Sequence, residues 1–506
     1  LLNSILDTGT LPGDFCKGTI LPIAKDPRFP CTTDNARPLT MLETGLKILT
    51  STLADRMMDC MSHNPVLAPT QFAYLPGTNI RDPVRTVEAL FAKTNPGAPL
   101  HAVFLDLKQA FDSVEFWASD LALKRLGVPP KVLRLMQTLD TNSTRDLLTR
   151  DGYTDPWDLT RGVPQGEVLS PFRFVALLDM LATWLIIRSS GANPTDSVMG
   201  YPLDSPPIPL LNKAVPTDLA GARRLLIHSL LYADDICLAA TSHAHLQDMV
   251  GVVAEFMLVM GIKLNHQKSY YTTNAPGEPL TIYATGTFGT PTPTNPSELD
   301  TSLDCQWTPT TPGAALQFVP PTDSVRYLGV HLSLNPKTRW KDQANKLSAT
   351  LQACLDSIHY KQLSIRQLQY VINQFVLPKI TYAASHASFP TTSLGKLDTI
   401  LRKFVRSYLD LPSNTPTAAL YSPLSSWGFG LQSIQDASNI SIVTGVRASL
   451  NDWALSNKWH AATGSSPTYK GLNLFGLYKN NSNIYPRALW GLLHGLMTHK
   501  KHSLFP

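Results

Sequence analysis

Leu225-Leu226-Ile227-His228-Ser229-Leu230-Leu231-Tyr232-Ala233-Asp234-Asp235-Ile236-Cys237-Leu238-Ala239-Ala240 reads as strand, turn, strand, with the only charges of the stretch gathered at the turn. Leu225 to Leu231 and Ile236 to Ala240 are the expected strands, and Tyr232 to Asp235 the tight connection between them. Two adjacent carboxylates at such a turn raise each other's pKa unless a cation stands beside them, and a divalent ion is the economical solution. Taken alone, the pair is equally compatible with a plain polar hairpin turn.

An earlier apolar strand, Ala102 to Leu107, carries a third carboxylate, Asp106. A bare charge buried in such a run costs several kcal/mol or more, so Asp106 must be paired, protonated or metal-bound. Hard oxygen ligands on a strand and a hairpin suit Mg²⁺, which needs few protein carboxylates when substrate phosphates supply the rest. Polymerases place two such ions about 3.5–4 Å apart to clamp the attacking and leaving oxygens of a phosphoryl transfer.

Asp112-Ser113-Val114-Glu115 has the spacing of a helix capping box, which predicts Asp112 as N-cap of a helix running to about Leu126. Apolar spacing predicts further helices over Thr44–Met61, Pro171–Ile187, Leu246–Met260, Lys341–Ser357 and Ile365–Leu377. Gly191–Ala222 and Asn274–Asp323 are rich in Pro, Thr, Ser and Gly and read as surface insertions. The mixed order of elements indicates an α+β fold.

The chain of 506 residues exceeds one compact core, and its net charge of +5 permits a nucleic-acid partner without requiring one. Six cysteines with no CxxC pair fit reduced thiols and exclude a readable zinc module. His494, His499 and His502 read as part of a solvated basic tail rather than a metal site. No apolar run approaches the ~20 residues that span a bilayer, so no membrane segment is expected. Leu1 stands in what reads as the middle of a helix, with no initiator Met ahead of it, which predicts a piece of a longer protein.

Phe104-Leu105-Asp106-Leu107-Lys108-Gln109-Ala110-Phe111-Asp112-Ser113-Val114 resembles the first palm motif of non-LTR (LINE-type) retrotransposon reverse transcriptases, and Tyr232-Ala233-Asp234-Asp235 their second. Arg161-Gly162-Val163-Pro164-Gln165-Gly166, followed by Leu169-Ser170-Pro171, is similar to the motif between them. Thr19 to Lys25 and Arg37-Pro38-Leu39-Thr40 resemble the fingers, and Gln71-Phe72-Ala73-Tyr74 with Gly77 and Asp82 the segment before the palm. Gly261-Ile262-Lys263-Leu264-Asn265 with Lys268 resembles the fourth palm motif, Tyr327-Leu328-Gly329 the primer grip, and Leu377-Pro378-Lys379 with Tyr382 the thumb. Arg402–Leu411 and Pro423–Leu431 are similar to the family's post-thumb segments, so the likeness runs to about residue 435.

The resemblance implies a right-hand polymerase: fingers over 1–100, a palm with an antiparallel sheet over 101–335, a helical thumb over 336–412 and a helical region of unassigned role over 413–506. It implies an RNA-directed DNA polymerase that extends a DNA primer with dNTPs on an RNA template, using two Mg²⁺ ions or Mn²⁺. Asp106 and Asp234 would be the main metal ligands, with Asp235 supporting them. Phe111 would be the aromatic gate that leaves no room for a ribose 2′-hydroxyl; core packing is the alternative. Gln165 and Gly166 would lie under the incoming nucleotide, Lys25 and Arg37 would meet its triphosphate, and Lys268, or else Lys263, would protonate the pyrophosphate. Tyr327, Leu328 and Gly329 would grip the primer end. A nuclear or cytoplasmic ribonucleoprotein is the expected setting.

Gln109, Ala73, Leu75, Thr78 and above all Glu167 depart from the family pattern, Glu167 as an extra carboxylate expected beside the nucleotide. A catalytically dead relic and an RNA-directed RNA polymerase are the competing readings. Retention of all three carboxylates opposes the first and Phe111 the second. Trp453, Trp459 and Trp490 read as helical core rather than as base-stacking platforms.

Overall fold

The computed structural model of the chain describes residues 2–444 except 27, 33–34, 64–66, 69, 76–77, 95–98, 190–199, 206–222, 276–279, 283–285, 289–306, 310–312, 387–388 and 443. Gly77, most of the first Pro-rich insertion, the three C-terminal tryptophans and the terminal histidines lie outside the described residues. The chain divides into two units, one of Leu1–Pro83, Pro99–Tyr201 and Leu226–Phe318, the other of Val84–Ala98, Pro202–Leu225 and Val319–Pro506.

The first unit is built on two sheets. In one, β1 (Lys17–Ala24) pairs antiparallel with β2 (Ala36–Leu42) and parallel with β4 (Thr144–Thr149). The other has β3 (His101–Lys108) at its centre. Its neighbours are β6 (Asp235–Ala240), which forms a hairpin with β5 (Ser229–Tyr232), and β8 (Tyr270–Thr273), with short β7 (Lys263–Leu264) pairing its far end. Six of the eight β3 residues are buried, which is why its sequence is a nearly unbroken apolar run rather than an alternating one. Asp106 is half-buried near the strand's open end.

Helices Phe116–Arg125, Ser170–Ser189 and His243–Val259 supply the apolar side chains that fill the core around this sheet, among them Phe174, Leu177, Leu181, Val250 and Phe256. The Asn274–Asp323 stretch is not wholly superficial. Its sparse apolar residues Leu280, Ile282 and Leu316 are buried in the same core, and β9 (Gln317–Phe318) adds an edge strand to β8. Segment Thr70–Phe72 lies along β5, with Phe72 N–H donating to Leu231 O at 3.0 Å and Leu231 N–H to Thr70 O at 2.9 Å, and so covers an otherwise open sheet edge.

The second unit carries a hairpin of β10 (Ser324–Tyr327) and β11 (Val330–Ser333), then helices Lys341–His359, Ile365–Val371, Leu377–Ala384 and Thr391–Tyr408. The helix expected over Ile365–Leu377 runs on through a π-turn at Ile372–Val376 to Ala384. Pro378 has no N–H for the ladder and its ring crowds the preceding turn, and widening by one residue relieves both. The segment Pro423–Leu431 is clamped to this bulge, where Gln369 and Asn373 side chains donate to Gly430 O at 3.1 and 2.9 Å. Among the described residues no helix is long and apolar enough to cross a membrane, and Cys16, Cys31, Cys237 and Cys354 are free thiols.

Candidate active site

The β5–β6 hairpin closes on the Tyr232–Asp235 pair, so Ala233 and Asp234 alone make the turn. Ala233 takes φ +50°, left-handed backbone that costs an L-residue roughly 1 kcal/mol or more. Its methyl group packs with Ala73 and Val175, contacts that hold the turn in this form.

The register of β6 sets Asp235 directly opposite Asp106. Opposed residues of an antiparallel pair share a face of the sheet. Asp234, at the tip, feels the Asp106 charge: burial first, and then Asp106, hold its carboxyl above the usual carboxylate range, while Lys268 and Arg37 pull it down. Two carboxylates and two cations thus stand within electrostatic reach of one another. Tyr74, half exposed at φ +55°, borders the same spot, where burial and then the Asp234 charge push its phenol up.

Asp106 is held from the turn that comes after β7. Asn265 Nδ2 donates to Asp106 Oδ2 at 2.8 Å and Asn265 N–H to Asp106 O at 2.8 Å, while Asp106 N–H donates to Ser269 Oγ at 3.1 Å. Ser269 Oγ–H in turn donates to Asn265 O at 2.8 Å. The sequence assigns neither Asn265 nor Ser269 a role. The one signal is the place of Asn265 at the end of the Gly261–Asn265 motif; Ser269 has none.

Among the described residues no three His, Cys, Asp or Glu side chains form a ready-made metal cage. The donors present are the hard oxygens of Asp106 and Asp234, with cations nearby for an anionic co-ligand. That set fits an ion held by few protein carboxylates and completed by substrate phosphates, and does not fit a closed structural site.

The Arg161–Gly166 loop bridges the segment that follows β3 and the β1–β2 sheet. Gly162 N–H donates to Val114 O at 2.7 Å and Val163 N–H to Phe111 O at 2.9 Å, while Gln165 O accepts from Thr40 N–H at 2.7 Å. Gly166, at φ +113°, lies so near β2 that a Cβ there would stand 2.7 Å from Thr40 O. Its close backbone approach in this structure is therefore to the strand. Phe111 is half-buried and stacks on Phe174, centroids 4.7 Å apart.

The capping-box reading of Asp112 is overturned. Phe111–Ser113 forms a single 3₁₀ turn, Val114 is extended, and the helix begins at Phe116 with Glu115 as its cap residue. Bonds from the Gly162–Val163 backbone hold this segment out of the helix. Asp112 instead lies within reach of Lys25, which lowers its pKa against a larger upward push from burial.

Glu167 is corrected too. It accepts from Ser170 Oγ at 3.1 Å and, with Asp140, Arg145 and Arg173, lines a cavity of about 20 Å³. There Arg173 grips Asp140 through two bonds of 2.8 and 2.6 Å, so Glu167 belongs to a structural ion network. Tyr327, Leu328 and Gly329 sit in the second unit, at the tip of the β10–β11 hairpin, where Tyr382 Oη–H donates to Leu328 O at 2.7 Å.

The family model for reverse transcriptase (RNA-dependent DNA polymerase) matches residues 23–332, more than half of the chain. The chain belongs to this family. Its mixed helix-and-sheet fold is accordingly that of a right-hand polymerase, and divalent metal ions serve reverse transcriptases generally.

Curated relatives are proteins of retrotransposable and other mobile elements. The Pol polyprotein of element R2DM from Drosophila melanogaster is 22% identical over 86% of this chain and 36% of its own length. The R2 polyprotein of Popillia japonica is 25% identical over 84% of this chain and 52% of its own length. The jockey RNA-directed DNA polymerase of Drosophila melanogaster is 29% identical over 34% of this chain and 19% of its own length. The chain thus spans about a third to a half of the R2 polyproteins. Among solved structures, apo telomerase from Candida tropicalis matches 85% of this chain and 65% of its own, at 10% identity and a TM-score of 0.42.

Proposed function

We propose that this chain is the polymerase core of a non-LTR retrotransposon protein, extending a DNA primer 3′-hydroxyl with dNTPs on the element's RNA within a nuclear or cytoplasmic ribonucleoprotein. The observation that carries this reading is the register that brings Asp235 opposite Asp106, with Asp234 at the adjoining tip. The fingers, palm and thumb assigned from sequence over 1–100, 101–335 and 336–412 go with it.

Asp106 and Asp234 would hold the metal, with Asp235 in support and Asn265 fixing the Asp106 carboxylate. The chemistry supplied there by two Mg²⁺ ions, or by Mn²⁺, is activation of the 3′-hydroxyl and neutralisation of charge on the leaving pyrophosphate. The 3′-oxygen gives up its proton to solvent, bonds to the α-phosphorus of the dNTP and displaces pyrophosphate in line, with no covalent enzyme intermediate. Arg37 and Lys25 would meet the triphosphate, and Lys268 would protonate the leaving group, a role its charge within reach of Asp234 supports. Phe111, backed by Phe174, presents a ring to the sugar, and Gln165 and Gly166 lie under the nucleotide. Tyr327 to Gly329 hold the primer end.

Asp234→Asn tests the assignment in a primer-extension assay on an RNA template. Extension is expected to vanish while template binding stays near the parent's. A variant as active as the parent would refute it.

A further inference from the structure

Pro164, Gln165, Gly166 and Glu167 form a β-turn closed by Glu167 N–H, which donates to Pro164 O at 3.3 Å. Gly166 stands third in it at φ +113°, backbone that glycine adopts without strain. The middle of the turn is fixed from one side, where Thr40 N–H donates to Gln165 O at 2.7 Å along the open edge of β2. Its two ends are fixed from another, since Pro164 and Glu167 both line the cavity of about 20 Å³ that Asp140, Arg145 and Arg173 share.

The charged groups lining that cavity fall into two pairs. Arg173 is taken up by the two Asp140 oxygens, with Ser119 Oγ accepting from its Nε at 2.8 Å. Arg145, buried on β4, donates from Nη1 to Cys16 O at 3.0 Å and Thr144 O at 2.8 Å, neutral acceptors that do not offset its charge. Glu167 is the acid that balances it. Burial holds the Glu167 carboxyl above the usual range, while Arg173, the Ser170 bond and Arg145 pull it down. Two carboxylates and two guanidiniums sum to zero, and removing one carboxylate leaves a buried cation uncompensated. The Arg145 guanidinium also passes over Gly18 beside Thr40: a Cβ on Gly18 would stand 3.2 Å from Nη1 and 3.0 Å from Thr40 Cγ2. The strand that bonds the middle of the turn and the cation that balances its end are thus neighbours in one sheet.

We propose that Glu167 is a positioning residue for the incoming nucleotide: its carboxylate, held by Ser170 and by the Arg145 and Arg173 charges, clamps the Pro164–Glu167 turn against β2 and so fixes the Gln165–Gly166 tip on which the nucleotide rests. This rests on the polymerase reading and on the place that reading gives Gln165 and Gly166. Glu167 acts through the turn and not on the reacting atoms. An amide at this position keeps the shape and an acceptor for Ser170 but leaves Arg145 without a counter-charge, which draws water to the guanidinium and loosens the turn.

The test is primer extension on an RNA template, over dNTP and divalent-ion titrations, for the whole chain and for Glu167→Gln, Arg145→Gln and their double. Hydrogen exchange of the peptide spanning residues 161–168 is measured on the same proteins, well below their melting temperatures. Glu167→Gln is expected to raise KM for dNTP several-fold, the order of one lost hydrogen bond to a charged group. Its kcat and its ion concentration for half-maximal rate should stay near the parent's, because bound nucleotide and transition state lose the same support. The 161–168 amides should exchange faster, and the double should regain much of both losses, since the stranded guanidinium is gone. A lower melting temperature with KM and exchange at parental values would show a purely structural network and overturn the role. So would a raised KM with unchanged exchange, which puts the carboxylate on the nucleotide itself, or losses that simply add in the double. Any of these in a parent that extends primers removes only this role; a parent that extends nothing removes the polymerase reading and the role together.

Discussion

Asn265→Ala deletes one bond from the support of Asp106 and leaves the others in place. The backbone bond from residue 265 to Asp106 O and the Ser269 bridge do not use the amide side chain, so the turn persists and only the 2.8 Å bond to Asp106 Oδ2 is lost. A hydrogen bond to a charged group contributes about 1.5–3 kcal/mol, and since both residues are half-buried the lower end applies. At 1.36 kcal/mol per decade, about 1.5 kcal/mol is roughly a tenfold effect. Single-turnover primer extension over a divalent-ion titration reads it. The ion concentration for half-maximal rate is expected to rise about tenfold, with most of the rate recovered at saturation, and the melting temperature to move little. Asn265→Asp, which sets like charge against Asp106, should do worse than Ala. A titration curve superimposable on the parent's would show that the amide does not position the carboxylate.

Phe111→Val should admit ribonucleotides that the parent refuses, read by extension with rNTPs; equal exclusion by both proteins would return Phe111 to a packing role against Phe174. Arg173→Met strands the buried carboxylate of Asp140 and should cost about 3–5 kcal/mol by urea unfolding, with much of it regained in the Arg173→Met, Asp140→Leu double. His228 is buried, and desolvation lowers its pKa to about 4. Between that value and the unfolded ~6.5 the unfolded chain alone binds the proton, so stability present near pH 7 should fall by about 2 kcal/mol on going to pH 5. Chemical denaturation at both pH values checks this, and His228→Gln should lose most of the dependence.

Much of the sheet around β3 was legible because its signals are local. The apolar run around Asp106 is what a strand buried on both faces must look like, and Ala233 and Asp234 between two such runs left a turn as the only economical element. Other expectations failed where distant contacts overrode a local pattern. Asp112-Ser113-Val114-Glu115 has capping-box spacing, yet backbone bonds from Gly162 and Val163 keep it out of the helix, as a 3₁₀ turn followed by an extended Val114. Glu167 looked like a misplaced charge at the nucleotide site, and its partners, Arg145, Arg173 and Asp140, are recognisable only in space.

Sequence alone determined the strand and hairpin that carry the three carboxylates and the order of the motifs, since burial period and turn chemistry are written within a few residues. Tertiary structure decided which side chains share a face. The pairing of β3 with β6 set Asp235 against Asp106, and the turn after β7 brought Asn265 to the Asp106 carboxylate. Such placements depend on register across more than a hundred residues of chain, and a shift of one residue would turn every side chain to the opposite face.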